Sequence, residues 1–524
     1  MKKISRKEFL RGTAAGAVLG ALSGLSGGMT VQAEETAGEK SFVFGVSSTW
    51  NTWLSVNDTV TQNQMIHMML FEPLITYGDA VYYRACESID YSEDYKIWTM
   101  HLNENITWSD GEPTTADDYV FSWNFLTDPE FGVYTYTYYF NLLEGTEDSG
   151  LRAEGSELGV YKIDDYTLEI HWKEATSLSD LTTNNMLWSV YPKHILGDLP
   201  VAEIMDDPYW SAPIGNGACV FESEPVIGQE LVLRARDDYY MELDFDKVTY
   251  LVVDTTNAAN ALLNGDIDTF YPELSTDVRK ELDGQNGISF YLDEGTRTIY
   301  SLAINNERYS KPVRQALTML IDKSIIAQAA AGEEGVPQGD PYLIYQDYYQ
   351  EYTDVVDVDA AKAILDEEGF DYSRPLTLAC GEARTNWAMI IQQNLAAAGI
   401  TVEITTGDAS TIFSAQANGE VDAVMMGNNE RFDPSSHYDK FSPGTGTYTH
   451  NNDDYTIYDL ARQIAFTEDE DEKFALAQEL QLVYWDICPW IFLFSIPSYI
   501  PTTEKLEMKG SSVMTLPWDI HVTA

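Results

Sequence analysis

The chain has 524 residues, of which 44% are hydrophobic and 12% aromatic, and its formal net charge is −53. This length exceeds one ordinary hydrophobic core and predicts two or three domains, while the composition excludes a disordered, low-complexity chain. So negative a field repels nucleic acid and anionic lipid, and neither is an expected partner. The charge is typical of a soluble exported protein, and it also favours the approach of cationic ligands.

The first 33 residues have the pattern of an export signal. A basic start is followed by an apolar run that glycine and serine interrupt, and the small-x-small sequence of residues 31–33 ends it. The run is too short for a permanent membrane span. We therefore expect residues 1–33 to be a signal peptide and the mature chain to act in the periplasm or at the outer face of the bacterial membrane. Residues 5–11 resemble a twin-arginine signal, but Lys7 stands where a second arginine is typical, so both export routes stay open.

The four cysteines are widely spaced and form no C-x-x-C motif. Outside the cytoplasm, one or two disulfides are compatible with this number, and buried free thiols are an equal alternative. None lies near the end of the predicted signal, so we expect no lipoprotein anchor. The four are Cys86, Cys219, Cys380 and Cys488.

Strand and helix patterns alternate along the mature chain. Residues 41–46 predict a strand, and the apolar run 248–254 predicts a strand that is covered on both faces. Residues 313–330 predict one amphipathic helix that Ser310 can cap. Two later helices end at glycines, and the recurring helix–glycine–strand order predicts α/β lobes with partly parallel sheets. These two glycines are Gly369 and Gly399.

Two stretches share the pattern A-x-x-N-G-acid-aliphatic-D. They are ALLNGDID at residues 261–268 and AQANGEVD at residues 415–422. Each lies between a helix pattern and a strand pattern, so the match extends to the surrounding order of elements. This predicts two similar lobes; the alternative is a common helix end followed by a strand.

No strong catalytic motif is present. The sequence lacks H-E-x-x-H, G-x-S-x-G and Walker patterns. Its seven histidines are dispersed, so we expect neither a metal site nor a cofactor. Glu72 and Glu87 could be imagined as a glycosidase pair, but 84 acidic residues produce such pairs by chance. We expect a protein that is not an enzyme, and a secreted hydrolase is the weakest hypothesis.

Aromatic residues are crowded in two places. Tyr134, Tyr136, Tyr138, Tyr139 and Phe140 lie together, and Trp50 and Trp53 follow the first strand. Aromatic faces bind apolar groups, sugars or peptide side chains. Packing in a core is the alternative for each of these side chains.

Six short stretches occur along the mature chain in one characteristic order. They are FEPLI (71–75), the segment from Leu102 to Pro129, PIGNGACVFE (213–222), RARDDYY (234–240), VRQALTMLIDKSII (313–326) and DVDAAKAILDEEGF (357–370). Together they resemble the extracellular solute-binding proteins of ABC importers, family 5, which carry oligopeptides, dipeptides and related solutes. The resemblance covers nearly the whole mature chain.

The resemblance implies an α/β, two-lobed periplasmic-binding-protein fold of the Venus-flytrap type, with an extra subdomain inserted in the first lobe. Lobe I would comprise residues 40–75, 213–296 and 488–524, the inserted subdomain residues 76–212, and lobe II residues 297–487. It also implies a monomer that captures an oligopeptide between its lobes and delivers it to the permease subunits of an ABC importer. Binding of an oligosaccharide or another small solute by the same fold is the alternative.

The resemblance also implies a ligand site in the stretch GNNERFDPSSHYDKF, residues 427–441. In peptide-binding members, an acid four residues before the proline of this loop binds the α-ammonium group of the peptide; here that acid is Glu430, before Pro434. A partly desolvated carboxylate pairs strongly with an ammonium group. Glutamate replaces the family's aspartate, Gly427 stands where tryptophan is common, and no arginine is matched to a peptide carboxylate. Asp433 and Pro434 are predicted to form a turn.

Five further residues are predicted near the ligand. Two flank the predicted acid, two fall near family positions that line the cleft, and one lies on the C-terminal strand that crosses back into the first lobe. They are Asn428, Asn429, Tyr134, Trp50 and Phe494.

Overall fold

The structure is a computed structural model. The chain divides into two units, Met1–Glu39 and Lys40–Ala524, and every strand and helix of the described residues belongs to the second unit. The predicted signal peptide lies outside the described residues, as do the side chains at 61, 77, 179, 276, 293–297, 409, 410, 429 and 430. The described residues are 38–50, 52–57, 61–77, 81–181, 187, 189–226, 230–272, 274–342, 348–350, 355–430, 433–435, 455–467, 469–508 and 517–523.

The strands carry the β-branched and aromatic residues that suit buried sheets. The two strands predicted at residues 41–46 and 248–254 are confirmed. The strands are β1 Ser41–Val46, β2 Ile75–Tyr77, β3 Val81–Tyr83, β4 Cys86–Tyr91, β5 Ile97–Leu102, β6 Val160–Asp164, β7 Thr167–His171, β8 Cys219–Phe221, β9 Leu231–Ala235, β10 Lys247–Val252, β11 Thr269–Tyr271, β12 Ser289–Ile304, β13 Val336–Pro337, β14 Leu376–Cys380, β15 Val402–Thr406, β16 Ala423–Glu430, β17 Trp490–Thr502, β18 Leu506–Met508 and β19 Ile520–Val522.

Most of the α-helices are short and amphipathic, and they cover the sheets. The helices are α1 Thr61–Leu70, α2 Ala116–Leu126, α3 Lys193–Leu196, α4 Val201–Ile204, α5 Thr255–Asn264, α6 Thr276–Leu282, α7 Lys311–Leu320, α8 Lys323–Ala331, α9 Val358–Glu367, α10 Thr385–Ala396, α11 Ala409–Ala417, α12 Thr456–Ala465 and α13 Glu470–Ile487.

The single helix predicted over residues 313–330 is wrong, because the structure has two helices there. The carboxylate of Asp322 accepts hydrogen bonds from the backbone amides of Ser324 and Ile325 and so starts α8 anew. Ser310 occupies the predicted N-cap position of α7, but its side chain caps no backbone amide, because its hydroxyl donates to Glu368 at 2.7 Å. The helix ends predicted at the two later glycines are confirmed, with φ of 68° and 86° respectively.

All four cysteines are free and buried. The free-thiol alternative is therefore the correct one. Burial raises the pKa of the Cys86 thiol to about 12 and also raises the pKa values of Cys219 and Cys380. The raised pKa values favour the protonated thiol over the reactive thiolate.

One large sheet runs through the molecule in the order β15-β14-β16-β12-β17-β11-β1-β10-β9-β8, and β13 pairs with β17. Strand β1 is parallel to β10 and β11, and β14 is parallel to β15 and β16. Each end of the sheet therefore has a parallel core, as predicted. We call the half with β1 and β8–β11 lobe I and the half with β14–β16 lobe II.

The two long strands β12 and β17 connect the lobes. Residues 289–293 pair with residues 498–502 on the lobe I side, and residues 298–303 pair with residues 490–496 on the lobe II side. The register shifts between residues 293 and 298 and separates the two ladders. Because each strand continues from one ladder to the other, the lobes share these strands; the predicted lobe boundaries at 296 and 488 stay predictions.

A separate antiparallel sheet, in the order β4-β5-β7-β6, lies within the predicted insertion at residues 76–212. Its buried tryptophan Trp98 belongs to the same hydrophobic cluster as Phe42 of β1 and Tyr250 of β10. The core of lobe II, which includes Leu378 and Ile391, is a different cluster. The inserted sheet thus shares its core with lobe I.

The repeated A-x-x-N-G-acid-aliphatic-D pattern has the same geometry in both lobes. Its glycine has positive φ in each case, 75° at Gly265 and 66° at Gly419, which a glycine adopts without steric penalty. The amide of the following acidic residue donates at 2.9 Å to the carbonyl of the first alanine of the pattern. This reverses the chain from a helix into the following strand, and it confirms the prediction of two similar units.

The last aspartate of each pattern binds the neighbouring strand in the same way. In lobe I, the amide of Val43 donates to Asp268 at 2.8 Å, and the amide of Asp268 donates back to the carbonyl of Val43 at 2.8 Å. In lobe II, the amide of Thr377 donates to Asp422 at 2.8 Å, and the amide of Asp422 donates to the carbonyl of Thr377 at 3.0 Å. The aspartate therefore extends the sheet ladder by one side-chain bond in each lobe.

The two aspartates differ in their ion pairs. Asp422 is fully buried and accepts from both terminal nitrogens of Arg374, at 2.8 and 3.0 Å, and from Arg308. Burial alone would raise its pKa, but these hydrogen bonds and that from Thr377 hold the pKa below its ordinary value. Asp268 has a weaker cation partner, Lys505 at 3.7 Å.

We expect Asp422→Ala to lower the free energy of unfolding by about 3 kcal/mol, because it removes the buried acceptor of backbone, hydroxyl and guanidinium donors. The matched variant Asp268→Ala should lose about 1–2 kcal/mol, because it breaks fewer charged bonds. Urea unfolding of the two variants measures the difference. Equal losses would show that the arginine pair does not stabilise lobe II.

Candidate functional site

The candidate site is the cleft at which the parallel strands of both lobes end. Strand β12 runs from lobe I into lobe II, and β17 runs back. Strands β1 and β11 are antiparallel to β17, so their carboxyl ends point toward lobe II. Strands β14 and β16 are antiparallel to β12, so their carboxyl ends point toward lobe I. Ligands of α/β sheets bind outside the carboxyl ends of such strands, and here those ends face each other.

The lobe II wall of the cleft includes the end of β16. Residues 428, 429 and 430 pair with residues 299, 298 and 297 of β12 respectively. The backbones of Asn429 and Glu430 are thus held in the ladder, while their side chains lie outside the described residues. The side chain of Asn428 is half-buried. The register also brings Arg297 opposite Glu430, so a cationic residue occupies the position across from the predicted ligand acid.

The neighbouring side chains in this wall leave no room for a side chain at Gly427. A side-chain carbon at this position would lie 2.8 Å from the methyl group of Thr298 and 3.0 Å from the ring of Tyr300. Tyr300 stacks on Phe494 with ring centroids 4.9 Å apart, and Trp387 meets both rings edge-on. Phe494 is fully buried. The space that a tryptophan would take at this position is therefore filled by an aromatic cluster beneath the wall.

Arg384, which was not predicted from the sequence, follows β14 at the same edge. Its Nη1 donates to the carbonyl of Met425 at 3.1 Å, and its guanidinium lies 5.3 Å from the ring centroid of Tyr300. The side chain is half-buried. A signal was available, since this arginine lies between a predicted strand and a predicted helix, where the lobe II cleft should be.

The repeat relates Arg384 to Trp50 of lobe I. Each lies seven residues after the strand residue that bonds the repeated aspartate, Thr377 in lobe II and Val43 in lobe I. The two residues thus have the same offset along the chain from equivalent strand residues. Trp50 is buried, with 2% of its surface exposed, so it supports the lobe I wall from within the core.

The aromatic segment that contains Tyr134 also lies on the lobe I side. The ring of Tyr134 packs on Phe131 with centroids 4.8 Å apart and is partly buried. The amide of Tyr136 donates to the carbonyl of Val56 at 2.8 Å, which joins this segment to the loop after β1. The structure therefore brings together the two aromatic groups of the sequence, of which Tyr138 is the most exposed tyrosine at 46%.

Residues 433–435, which follow β16 after residues 431 and 432, form a hydrogen-bonded turn. The carboxylate of Asp433 accepts from the amide and hydroxyl of Ser435, at 2.8 and 2.6 Å, which confirms the predicted turn. The hydroxyl of Tyr342 donates to the carbonyl of Pro434 at 2.6 Å, and this bond is buried. The chain on both sides of residues 431 and 432 is thus held by hydrogen bonds.

Asp340 holds Tyr342, the residue that anchors Pro434. It is fully buried and accepts from the amide of Tyr342 at 2.8 Å and from the indole nitrogen of Trp485 at 3.0 Å. Burial raises the pKa of its carboxyl to about 7, although these two bonds and the charge of Lys323 act in the opposite direction.

Glu72 is not available as a catalytic carboxylate. It accepts from Arg84 at 2.5 Å, from Tyr239 at 2.7 Å and from Tyr240 at 3.0 Å, and both Glu72 and Arg84 are buried. Its charge and oxygens are engaged in a structural ion pair. Among the described residues, no group of three metal-ligating side chains is found, and no helix there is long and apolar enough to span a membrane.

Comparison with known proteins gives a family match. The family model for bacterial extracellular solute-binding proteins, family 5 Middle, matches residues 80–449. The periplasmic oligopeptide-binding protein OppA of Haemophilus influenzae is 27% identical over 317 residues, which cover 56% of this chain and 56% of that protein, about half the length of each. The oligopeptide-binding protein AppA of Bacillus subtilis is 25% identical over 504 residues, covering 88% and 87%.

Solved structures share the fold. HbpA2 from Haemophilus parasuis superposes with a TM-score of 0.78 at 19% identity, over 92% of this chain and 100% of that one. AppA from Bacillus subtilis in complex with a nonapeptide has a TM-score of 0.65 at 22% identity, over 92% and 99%. The predicted two-lobed α/β fold, with a subdomain inserted in the first lobe, is confirmed.

Because the folded chain holds a proton on Asp340 that the unfolded chain releases near pH 4, this stabilisation is full below about pH 4 and is lost as the pH rises through about 7. We expect the free energy of unfolding of the wild type, relative to Asp340→Asn, to fall between these pH values by on the order of 4 kcal/mol. Urea unfolding at several pH values measures it. The exposed Asp371→Asn is the control, and a wild type that tracks Asp340→Asn would contradict the assignment.

Proposed function

Because the chain belongs to the bacterial extracellular solute-binding proteins of family 5, we propose that it is an exported binding protein that captures oligopeptides between its lobes and delivers them to the permease of an ABC importer. The observation that carries this proposal is the opposed arrangement of strand ends, since a ligand between the lobes touches both walls. Several relatives are oligopeptide-binding proteins by name. Export by the signal at residues 1–33 and action as a monomer are parts of the same proposal.

Glu430 is the residue proposed to bind the α-ammonium group of the peptide. Its backbone ends β16 at the edge that points toward lobe I, and the anchored turn at Asp433 follows. A carboxylate there would pair with a peptide N-terminus in a partly desolvated cleft. Asn428 and Asn429 are proposed to bind the peptide backbone, a mode that gives affinity with little dependence on side chains.

Arg384 is proposed to bind a carboxyl or carbonyl group at the other end of the peptide. A cation on the same wall supplies the charge that the sequence comparison could not match to a residue. Tyr134 is proposed to contact the ligand from lobe I. Trp50 and Phe494, both buried, are proposed to support the two walls rather than to bind the ligand directly.

The oligosaccharide alternative rested on the aromatic cluster and on the missing tryptophan and arginine. Most of the clustered tyrosines pack on one another, as the stacked pair of Tyr136 and Tyr139 does at 5.2 Å. Tyr300 fills the space beside Gly427, and Arg384 supplies a cation. These observations favour a peptide ligand.

A thermal-shift screen tests the proposal on the mature protein with alanine tri-, tetra- and pentapeptides, the same peptides N-acetylated, and an oligosaccharide pool. A ligand held by the native state raises the melting temperature by mass action. We expect a shift with the free peptides that acetylation abolishes. A shift with oligosaccharides alone would establish the alternative ligand class.

We expect Glu430→Gln to reduce the free energy of peptide binding by about 2–5 kcal/mol, because an ammonium group would lose its charged partner. Isothermal titration calorimetry measures the loss. Glu420→Gln is the matched control, since Glu420 is an exposed acid of lobe II that accepts from Asn418. Unchanged affinity in Glu430→Gln would remove Glu430 from the site.

A further inference from the structure

A cluster of four side chains connects the inserted sheet with lobe II outside the crossing strands. The rings of Tyr95 and Phe466 lie with their centroids 4.6 Å apart, and the hydroxyl of Tyr95 donates to the carbonyl of Phe466 at 3.4 Å. Tyr95 lies between β4 and β5 of the inserted sheet, whereas Phe466 directly follows α12. We call Tyr95, Asp180, Arg462 and Phe466 the cross-lobe cluster.

Arg462 of α12 provides the polar part of the contact. Its Nη2 donates to the carbonyl of Ala175 at 2.9 Å, and its Nη1 lies 3.4 Å from a carboxylate oxygen of Asp180. Its guanidinium also lies 4.5 Å from the ring centroid of Phe466. Asp180 is nearly buried and accepts from the amide and hydroxyl of Ser177 as well. One arginine thus bonds both a backbone carbonyl and a carboxylate of the insertion.

The two sides of the cluster belong to different cores. Helix α12 contributes Ile457 and Ile464 to a hydrophobic cluster of lobe II. The inserted sheet contributes Trp98 and Trp172 to the core that it shares with lobe I. The contact therefore joins two bodies that are also connected by β12, by β17 and by the ion pair of Arg279 in lobe I with Glu334 in lobe II. It requires the inserted sheet and α12 to lie side by side.

The backbone of Tyr95 has an unfavourable conformation at this contact. Tyr95 has φ of 54° in the turn between β4 and β5, where its amide donates to the carbonyl of Ser92 at 2.9 Å. Glycine or asparagine adopts this conformation more easily than tyrosine. The ring packs on Tyr91 of its own sheet, with centroids 5.6 Å apart, and on Phe466 of lobe II. Residues held in unfavourable conformations concentrate where function requires them.

We propose that the cross-lobe cluster stabilises the closed form of the protein and thereby raises its affinity for ligand without touching the ligand. The proposal rests on the proposed function, since it requires capture between the lobes. A contact that exists only in the closed form increases the fraction of binding-competent molecules, and the apparent dissociation constant falls in proportion. The cluster would therefore slow ligand release in particular.

The test compares Tyr95→Asn and Arg462→Gln with the wild type in the mature protein. Asparagine suits the turn, so Tyr95→Asn should keep or raise the melting temperature of the ligand-free protein. The dissociation constant for trialanine should nevertheless rise about tenfold in each variant, with most of the change in the dissociation rate. Tyr161→Asn is the control, because the Tyr161 ring contacts His171 within the inserted sheet. A merely structural tyrosine would not combine unchanged stability with weaker binding.

Small-angle X-ray scattering supplies a readout that needs no ligand. If the cluster stabilises the closed form, both variants should have a larger radius of gyration than the wild type in the absence of trialanine, and saturating trialanine should reduce the difference. Unchanged scattering together with unchanged trialanine affinity would overturn the proposal and leave the proposed function standing. If the wild type binds no peptide while the variants still expand, the proposed ligand class fails and the role of the cluster in closure is supported.

Discussion

The backbone pairing of β12 with β17 is the constraint on which the fold and the candidate site depend. These strands are central in the sheet of each lobe, so their directions decide the directions of all their neighbours. Parallel strands on either side therefore end at the cleft rather than at opposite edges of the molecule. The ladder is interrupted between residues 293 and 298, which is where bending of the two strands would break the fewest hydrogen bonds. One pair of strands thus determines where the cleft lies.

Both lobes use the same residue types to connect a helix to the strand that follows it. A glycine in the left-handed region reverses the chain after a helix, and a buried aspartate three residues later bonds both backbone groups of the neighbouring strand. The lobes differ in charge, because Asp422 has two arginine partners and Asp268 has a more distant lysine. Basic residues are scarce in this chain, which has 31 of them and 84 acidic residues. Two arginines nevertheless pair with the one carboxylate of Asp422, because a buried negative charge needs positive partners.

The buried groups that support the lobe II wall differ from the contact that joins the inserted sheet to lobe II. The aromatic cluster of Tyr300, Trp387 and Phe494 holds the lobe II wall, and Tyr342 anchors the loop that follows β16. Such buried groups fix the shape of a wall and do not change when lobes move. The contact of Tyr95 with Phe466 is different, because its partners lie in separate cores and a strained backbone presents one of them. Affinity can then depend on closure as well as on direct contacts.

The sequence by itself determined the features that are local in the chain. The repeated aspartate pattern, the glycines that end helices and the turn at Asp433 each depend on residues within a few positions, and all three predictions are confirmed. The break before α8 was missed although it too is local, because apolar periodicity continued across the cap at Asp322. The family resemblance supplied the two-lobed fold, which periodicity alone could not.

Tertiary structure alone decided which distant residues meet. The cross-strand neighbour of Glu430 is Arg297, the space beside Gly427 is filled by Tyr300, and Arg384 lies over that same ring. Tyr95 and Phe466 are separated by 371 positions. None of these pairs has a periodicity or spacing that sequence reasoning can use, because strand register and lobe closure are set by the packing of whole sheets. The sequence therefore identified the edge at which a ligand would bind, and the fold supplied the partners that would hold it there.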